Sequence, residues 1–178
     1  MKNQIELSSY ASPVGSLLIG VYQSELILCD WEYRRMRNQI DNRLRTALEA
    51  EFAPKQKEHK LFNEVKKQLE AYFLGKLYEF DLPLNLIGTA FQQEVWSRLQ
   101  EIPYGKTRSY LELSNDLGNP KAIRAVASAN GANAISIIVP CHRIIGSDGS
   151  LVGYAGGLAA KRRLLSLEGA FGQTQLDF

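Results

Sequence analysis

Cys141 and His142 stand side by side in the stretch SIIVPCHRIIG, residues 136–146, with Pro140 before them and Arg143 after. A thiolate is a strong nucleophile, histidine is its usual proton acceptor, and neighbouring cations favour the charged form of sulfur. The competing reading is a small buried filler, because free cysteines in apolar runs usually pack as hydrophobes. Pro140 bears on the choice. The run before it, AISIIV, reads as a strand, and a proline ends strand pairing, so Cys141 is expected at the strand end, facing a pocket. Successive residues of extended chain face opposite sides, so His142 is expected to reach the thiol through a water. A cysteine hydrolase draws its histidine from elsewhere in the chain, and the other one, His59, sits in a charged helix start and reads as a solvated surface residue. This equipment suits a thiolate that attacks once and keeps what it takes.

The elements that hold this stretch are legible in outline. QIELSSY, GSLLIGVY and ELILCDWEY are strand-like runs broken by turn residues, which predicts a small antiparallel meander with Cys29 buried inside it. Two amphipathic helices follow, over about 34–51 and 58–74; Leu61, Val65, Leu69 and Tyr72 or Phe73 recur at helical spacing in the second. Glycine and proline in GKLYEFDLPLNLIG break the pattern and mark a boundary between an N-terminal unit, 1–84, and a C-terminal one, 85–178.

Beyond it, Thr89 with Gln92 and Ser109 with Glu112 read as capping boxes, and Asn119 before Pro120 as a helix cap. The second and third of these helices, 110–117 and 120–130, have the spacing of a helix-turn-helix. On the third, Ile123, Val126 and Asn130 share one side while Lys121, Arg124, Ala125 and Ser128 face the other. Such a small, basic face suits close approach to phosphates; an alanine-rich helix formed for propensity alone is the alternative. The fold class is therefore α+β, a sheet with helices followed by a mostly helical, winged-helix-like unit.

Composition narrows the function classes. The chain has 178 residues and a net charge of +2, too little to announce a nucleic-acid partner by itself. The basic excess is local: residues 102–147 hold Lys106, Arg108, Lys121, Arg124 and Arg143 against Glu112 and Asp116. Two cysteines, no secretory signal and no long apolar span place the chain in a reducing cytoplasm, away from membranes, and the two cysteines and two histidines lack metal-ligand spacing.

Taken together, IPYGKTRSY, GNPKAIRAVASANGAN, IVPCHRIIG, GYAGG and LLSLEG resemble the methylated-DNA-protein-cysteine methyltransferases, also called 6-O-alkylguanine-DNA alkyltransferases. The motifs span about 89–169; the first 80 or so residues fit the family's variable N-terminal domain only in size and pattern. The resemblance implies a monomer that needs no cofactor, binds duplex DNA through the minor groove, flips out an alkylated guanine and moves the alkyl group onto its own cysteine. Cys141 matches the acceptor, with His142 and Glu168 in a water-mediated relay and Asn133 tying the helix-turn-helix to the active-site strand. Arg124 matches the arginine that fills the base stack, beside Lys121, Ala125 and Ser128 on the DNA face. Tyr110 matches the tyrosine that turns the phosphate and protonates the base. Val139 and the loop of Tyr154, Ala155, Gly156 and Gly157 match the substrate pocket. Ala155 stands where some members carry serine, which removes one hydrogen bond to the base oxygen and widens acceptance, alkylated thymine included. A damage-binding relative without transfer activity, lacking the cysteine, is the alternative the resemblance leaves.

Overall fold

The computed structural model describes residues 3–55 and 59–171. Strands β1 (Asn3–Ser12), β2 (Gly15–Tyr22) and β3 (Glu25–Trp31) form the expected meander. The sheet is mixed, not antiparallel: a fourth strand, β4 (Ala50–Lys55), pairs parallel to β1, giving the order β3-β2-β1-β4. AEFAPK conceals its strand character behind charge and proline, and an edge position is where a sheet tolerates Pro54. Helix α1 (Arg37–Leu48) carries the chain from β3 across to β4; it is shorter at both ends than expected because Met36 and Glu49 adopt left-handed backbone. Helix α2 (Lys60–Phe73) buries Leu61, Val65, Leu69 and Tyr72 as the periodicity requires. Its expected start at Glu58 lies outside the described residues. His59 is not a free surface side chain: Nδ1 caps α2 by accepting from the Leu61 N–H at 3.2 Å, and the ring packs on Phe62.

Both capping boxes are present, opening α3 (Ala90–Gln100) and α4 (Tyr110–Asp116). Asn119 caps a short 3-10 turn (Pro120–Ala122) that runs into α5 (Ile123–Gly131). Val126, Ala129 and Asn130 are buried and Lys121, Arg124, Ala125 and Ser128 exposed, as the helical wheel requires. Ile123, the first residue of α5, is exposed instead of buried. The two-residue strands β5 (Arg108–Ser109) and β6 (Ile144–Ile145) pair beside the helix-turn-helix, and α6 (Leu158–Leu167) packs against the turn at 141–143.

The largest departure from expectation is AISIIV. Residues 134–139 are no strand; they wind into a fully buried turn that touches the sheet at a single bridge, Ile135 to Cys29. An unbroken apolar run fits a buried turn as well as a strand, and the backbone at Ile137, with φ of 72°, rules the strand out. The sheet still anchors this turn, as Cys29 donates to the Ala134 carbonyl at 2.9 Å and Ser136 to the Cys29 carbonyl at 2.7 Å. Burial is continuous across the expected boundary near residue 84: Trp31, Phe62 and Tyr72 share one hydrophobic cluster with Trp96, Leu99 and Val139. The intervening 75–88 segment lies along that cluster with Phe80, Leu82, Leu84 and Leu86, and Leu26 is bonded to Pro83 and Asn85.

Candidate active site

Pro140 ends the buried turn and caps a 3-10 turn (Cys141–Arg143), accepting from the Arg143 N–H at 3.0 Å. Three residues per turn send the Cys141, His142 and Arg143 side chains in three directions, so the two catalytic candidates diverge for a different reason than strand alternation. No hydrogen bond joins Cys141 to His142 among the described residues. Cys141 lies at the wall of a pocket of about 260 Å³. Tyr110 at the start of α4 and Ala127, Asn130 and Gly131 of α5 form one side; Gly153, Tyr154 and Ala155 form another. Arg34 and Arg35, which the sequence did not single out, close it from the N-terminal half. A larger cleft of about 600 Å³, lined by Tyr78, Tyr104, Pro140 and Arg143, lies behind the turn and does not reach the thiol.

Asn133 is what makes the wound backbone possible. Its Nδ2 donates to the Val139 carbonyl at 2.9 Å and the Ile135 carbonyl at 3.3 Å, while Oδ1 accepts from the Ile135 N–H at 2.9 Å. One amide thus replaces the ladder bonds a strand would have supplied. Asn130 adds a bond to the Cys141 carbonyl at 3.4 Å, which ties α5 directly to the nucleophile's backbone.

Glu168 caps α6 and is buried, although a carboxylate at a helix C-terminus opposes the dipole. Five donors explain it. Oε1 faces His142 Nε2 and the Tyr72 hydroxyl, each at 2.7 Å, and Arg143 Nη2 at 3.1 Å; Oε2 accepts from Arg143 Nε at 2.9 Å and the Gly105 N–H at 3.3 Å. Gly105 has φ of 74°, and a Cβ there would lie 2.7 Å from the Glu168 carbonyl oxygen, so the glycine of IPYGKTRSY is a condition of this contact. Arg143 spends its remaining arm on the Ile102 carbonyl at 2.5 Å. Its role is therefore to hold the carboxylate, and its charge is not available to the thiol.

The electrostatics follow. Burial pushes the Cys141 thiol up, against the hydrogen bond of Asn133 and the charges of Arg34 and Lys161. The expected lowering by its immediate neighbours does not occur, because His142 is neutral and Arg143 is paired. Burial also lowers the His142 pKa, outweighing the Glu168 carboxylate. Glu168 would be raised by burial, yet His142 and Arg143 hold it at about 2. Since Oε1 of the ionised carboxylate can only accept, Nε2 of His142 carries the proton and Nδ1 is left as an acceptor. Nδ1 is buried and has no partner among the described residues. At rest the site holds a thiol with its proton on and a base with room to take it.

The pocket loop is held from below. Lys161 of α6 is buried and donates to the Val152 and Gly153 carbonyls at 3.0 and 3.2 Å, and Tyr110 donates to the same Val152 carbonyl at 3.2 Å. Val139, Gly156 and Gly157 do not line the pocket. Val139 is buried with its carbonyl committed to Asn133; Gly156 backs onto Trp31, where a Cβ would lie 2.4 Å from the indole; Gly157 opens α6. Of the other residues that composition alone did not flag, Asp30 pairs with Arg34 at 3.0 Å and accepts from Ser136 at 3.1 Å, while Arg34 also donates to the Asn133 carbonyl at 2.9 Å and to that of Gly131. Their signal in sequence was weak: an Asp ending an apolar strand, with arginines after it.

A buried thiol outside any disulfide, beside a histidine–carboxylate pair and set against a helix-turn-helix, has the arrangement of a candidate nucleophile next to a candidate nucleic-acid interface. The family profile of the 6-O-methylguanine DNA methyltransferase DNA-binding domain matches residues 90–170, and that of the ribonuclease-like domain of the same proteins matches residues 5–86. The methylated-DNA–protein-cysteine methyltransferase of Methanosarcina acetivorans is 58% identical over 109 residues, covering 61% of this chain and 70% of its own. The crystal structure of Mycobacterium tuberculosis OGT in complex with DNA is 42% identical, covers 93% of each chain and superposes with a TM-score of 0.78. The O6-methylguanine-DNA methyltransferase of Pyrococcus kodakaraensis, at 22% identity and a TM-score of 0.68, shares the fold. The chain belongs to the 6-O-methylguanine DNA methyltransferase family.

Proposed function

We propose that this protein repairs alkylated DNA by moving the alkyl group from O6 of a guanine onto Sγ of Cys141, once per molecule. The observation that carries the reading is the pairing of a protonated, pocket-facing thiol with a histidine whose free nitrogen is backed by an ionised carboxylate. The thiol proton passes through a water to His142 Nδ1, and Glu168 stabilises the resulting imidazolium. The sulfur attacks the alkyl carbon in line with the carbon–oxygen bond; the carbon–sulfur bond forms as the carbon–oxygen bond breaks, and its electron pair stays with guanine. Guanine leaves with a proton on its ring. Tyr110 donates that proton, its own pKa being raised by burial so that the hydroxyl stays protonated at rest. Transfer of the proton held by His142 through solvent to the Tyr110 phenolate restores both residues, so the net change is alkyl to sulfur and one proton from the thiol to guanine. A thioether resists hydrolysis, so the protein is consumed.

The substrate base has to leave the duplex to meet a thiol that is 3% exposed. The exposed Arg124, Ala125 and Ser128 lie on the helix whose other residues wall the pocket, with Lys121 in the 3-10 turn that leads into it. Arg124 fills the space of the extruded nucleotide, and Ala125 and Ser128 keep the face shallow enough for the minor groove. The protein acts as a monomer in a reducing cytoplasm, in keeping with two free buried cysteines; among the described residues no helix is long and apolar enough to cross a membrane.

The test is to incubate the protein with duplex DNA carrying one O6-methylguanine and map the methyl group by peptide mass. Modification of Cys141, absent in Cys141→Ala, is expected. Binding without transfer identifies a damage-recognition protein instead, and turnover of ester substrates a hydrolase; either result overturns the proposal.

A further inference from the structure

The Glu168 carboxylate has about four lone-pair sites and meets five donors. Four come from the C-terminal half, three of them from two residues that neighbour Cys141. The fifth, the Tyr72 hydroxyl, comes from α2, 96 positions away in sequence. It takes the same oxygen that His142 uses, at the same distance of 2.7 Å. Arg143 alone would suffice to neutralise the carboxylate, so the hydroxyl is not needed for charge balance.

Tyr72 is fixed there by packing. It is fully buried, and its ring meets those of Phe73, Phe80 and Tyr104 at centroid distances of 5.3, 5.4 and 6.1 Å. A tyrosine used only to fill space would serve as well as phenylalanine, and burying its hydroxyl costs free energy unless it is bonded. The oxygen it has been given is the one whose electron density decides how readily His142 holds a proton.

We infer that Tyr72 is a positioning residue of the alkyl-transfer relay: its hydroxyl fixes Glu168 Oε1 against His142 and, by drawing charge from that oxygen, sets the proton affinity of the imidazole. The inference rests on the proposed transfer to Cys141 and gives the N-terminal half a share in the chemistry. A donor shared with His142 weakens the pull of the carboxylate on the imidazolium, so His142 stays neutral and ready to accept the thiol proton. The groups that face this pair are Arg143 and Cys141 of the 3-10 turn, Tyr72 of α2, Lys161 of α6, and Tyr104 and Tyr154 from the loops, with Tyr78 beyond Tyr104. Burial and the positive charges of Arg143 and Lys161 already disfavour the imidazolium, and Tyr72 acts in the same direction.

Removing the hydroxyl while keeping the ring isolates the effect. In Tyr72→Phe the His142 pKa is expected to rise by about half to one pH unit, because one neutral hydrogen bond has been withdrawn from the carboxylate. The acid limb of single-turnover methyl transfer from O6-methylguanine duplex to Cys141 moves up in pH by the same amount, and an NMR titration of the His142 ring shows the shift without DNA. A fluorinated tyrosine placed at position 72 alone retains the fold and strengthens the donor, and it moves both readouts the other way. A purely structural tyrosine would alter stability and leave the limb and the ring titration where they are. If wild type transfers methyl to Cys141 but neither variant shifts the His142 titration, the inference falls and the transfer reading stands. If wild type transfers nothing, the transfer reading itself falls, and a His142 titration that shifts in both variants still supports the hydroxyl's hold on the imidazole.

Discussion

At the scale of single residues the site is an exercise in keeping charge where it is useful. Glu168 and Arg143 are both buried, and each is tolerable only because of the other. Glu168→Gln leaves the Arg143 guanidinium without its counter-charge, and is expected to destabilise the protein by about 3 kcal/mol or more at neutral pH. The pH dependence identifies the cause. A carboxylate held at about 2, against an ordinary 4.5, contributes stability above pH 4.5 that is lost as pH falls through that interval. Urea midpoints should therefore show the gap between wild type and Glu168→Gln narrowing as the pH is taken from 4.5 towards 2. A gap that stays constant with pH would mean that packing, not charge, holds the two together.

Among the elements, the helix-turn-helix carries the division of labour most clearly. One face of α5 packs with Val126 and Ala129, the end of the helix lines the pocket with Asn130 and Gly131, and the outer face presents Arg124. Arg124 lies outside the pocket that holds the thiol, so on the proposed reading its contribution is confined to DNA that has to be opened. Arg124→Ala is expected to slow single-turnover repair of an O6-methylguanine duplex by ten-fold or more, a loss of about 1.4 kcal/mol or greater. Reaction with the free alkylated base should change by less than a factor of about two, which lies within the span of a surface substitution. Equal losses on both substrates would place Arg124 in the chemistry instead. The helix boundaries on this side of the molecule were open to reading because capping boxes are local, involving residues three apart that bond each other's backbone.

For the molecule as a whole, the N-terminal half is joined to the active site by backbone, side chain and charge. β3 bonds to the buried turn at Ala134 and Ser136, Tyr72 reaches Glu168, and Arg34 bridges Asp30 to the carbonyls behind Cys141. Arg34→Ala removes the closest partner of a fully buried carboxylate and leaves main-chain acceptors unpaired, so a destabilisation of about 3 kcal/mol is expected by urea titration. The same substitution withdraws a positive charge that lowers the Cys141 pKa. Alkylation of Cys141 by iodoacetamide should accordingly shift to higher pH in the variant; an unchanged pH profile would separate Arg34 from the thiol.

The sequence by itself determined the meander, both amphipathic helices, the capped helices of the C-terminal half and the Cys-His motif PCHR, because each depends on neighbours a few residues apart. It also picked out Asn133 and Glu168, though only through resemblance to a family; nothing in their local sequence requires a bonded turn or a buried carboxylate. Tertiary structure decided the rest. AISIIV looks like a strand until Asn133 supplies the bonds that allow Ile137 a left-handed backbone. The Cys141 pKa looks lowered until Arg143 is seen to be spent on Glu168, and burial then raises it. The bonds of Arg34 to Asn133 and of Tyr72 to Glu168 were silent for the same reason: a hydrogen bond between residues 96 or more apart leaves no periodicity, spacing or composition to read. Lys161 makes the complementary point, since a lysine on an amphipathic helix reads as solvated until the loop whose carbonyls it holds is folded over it.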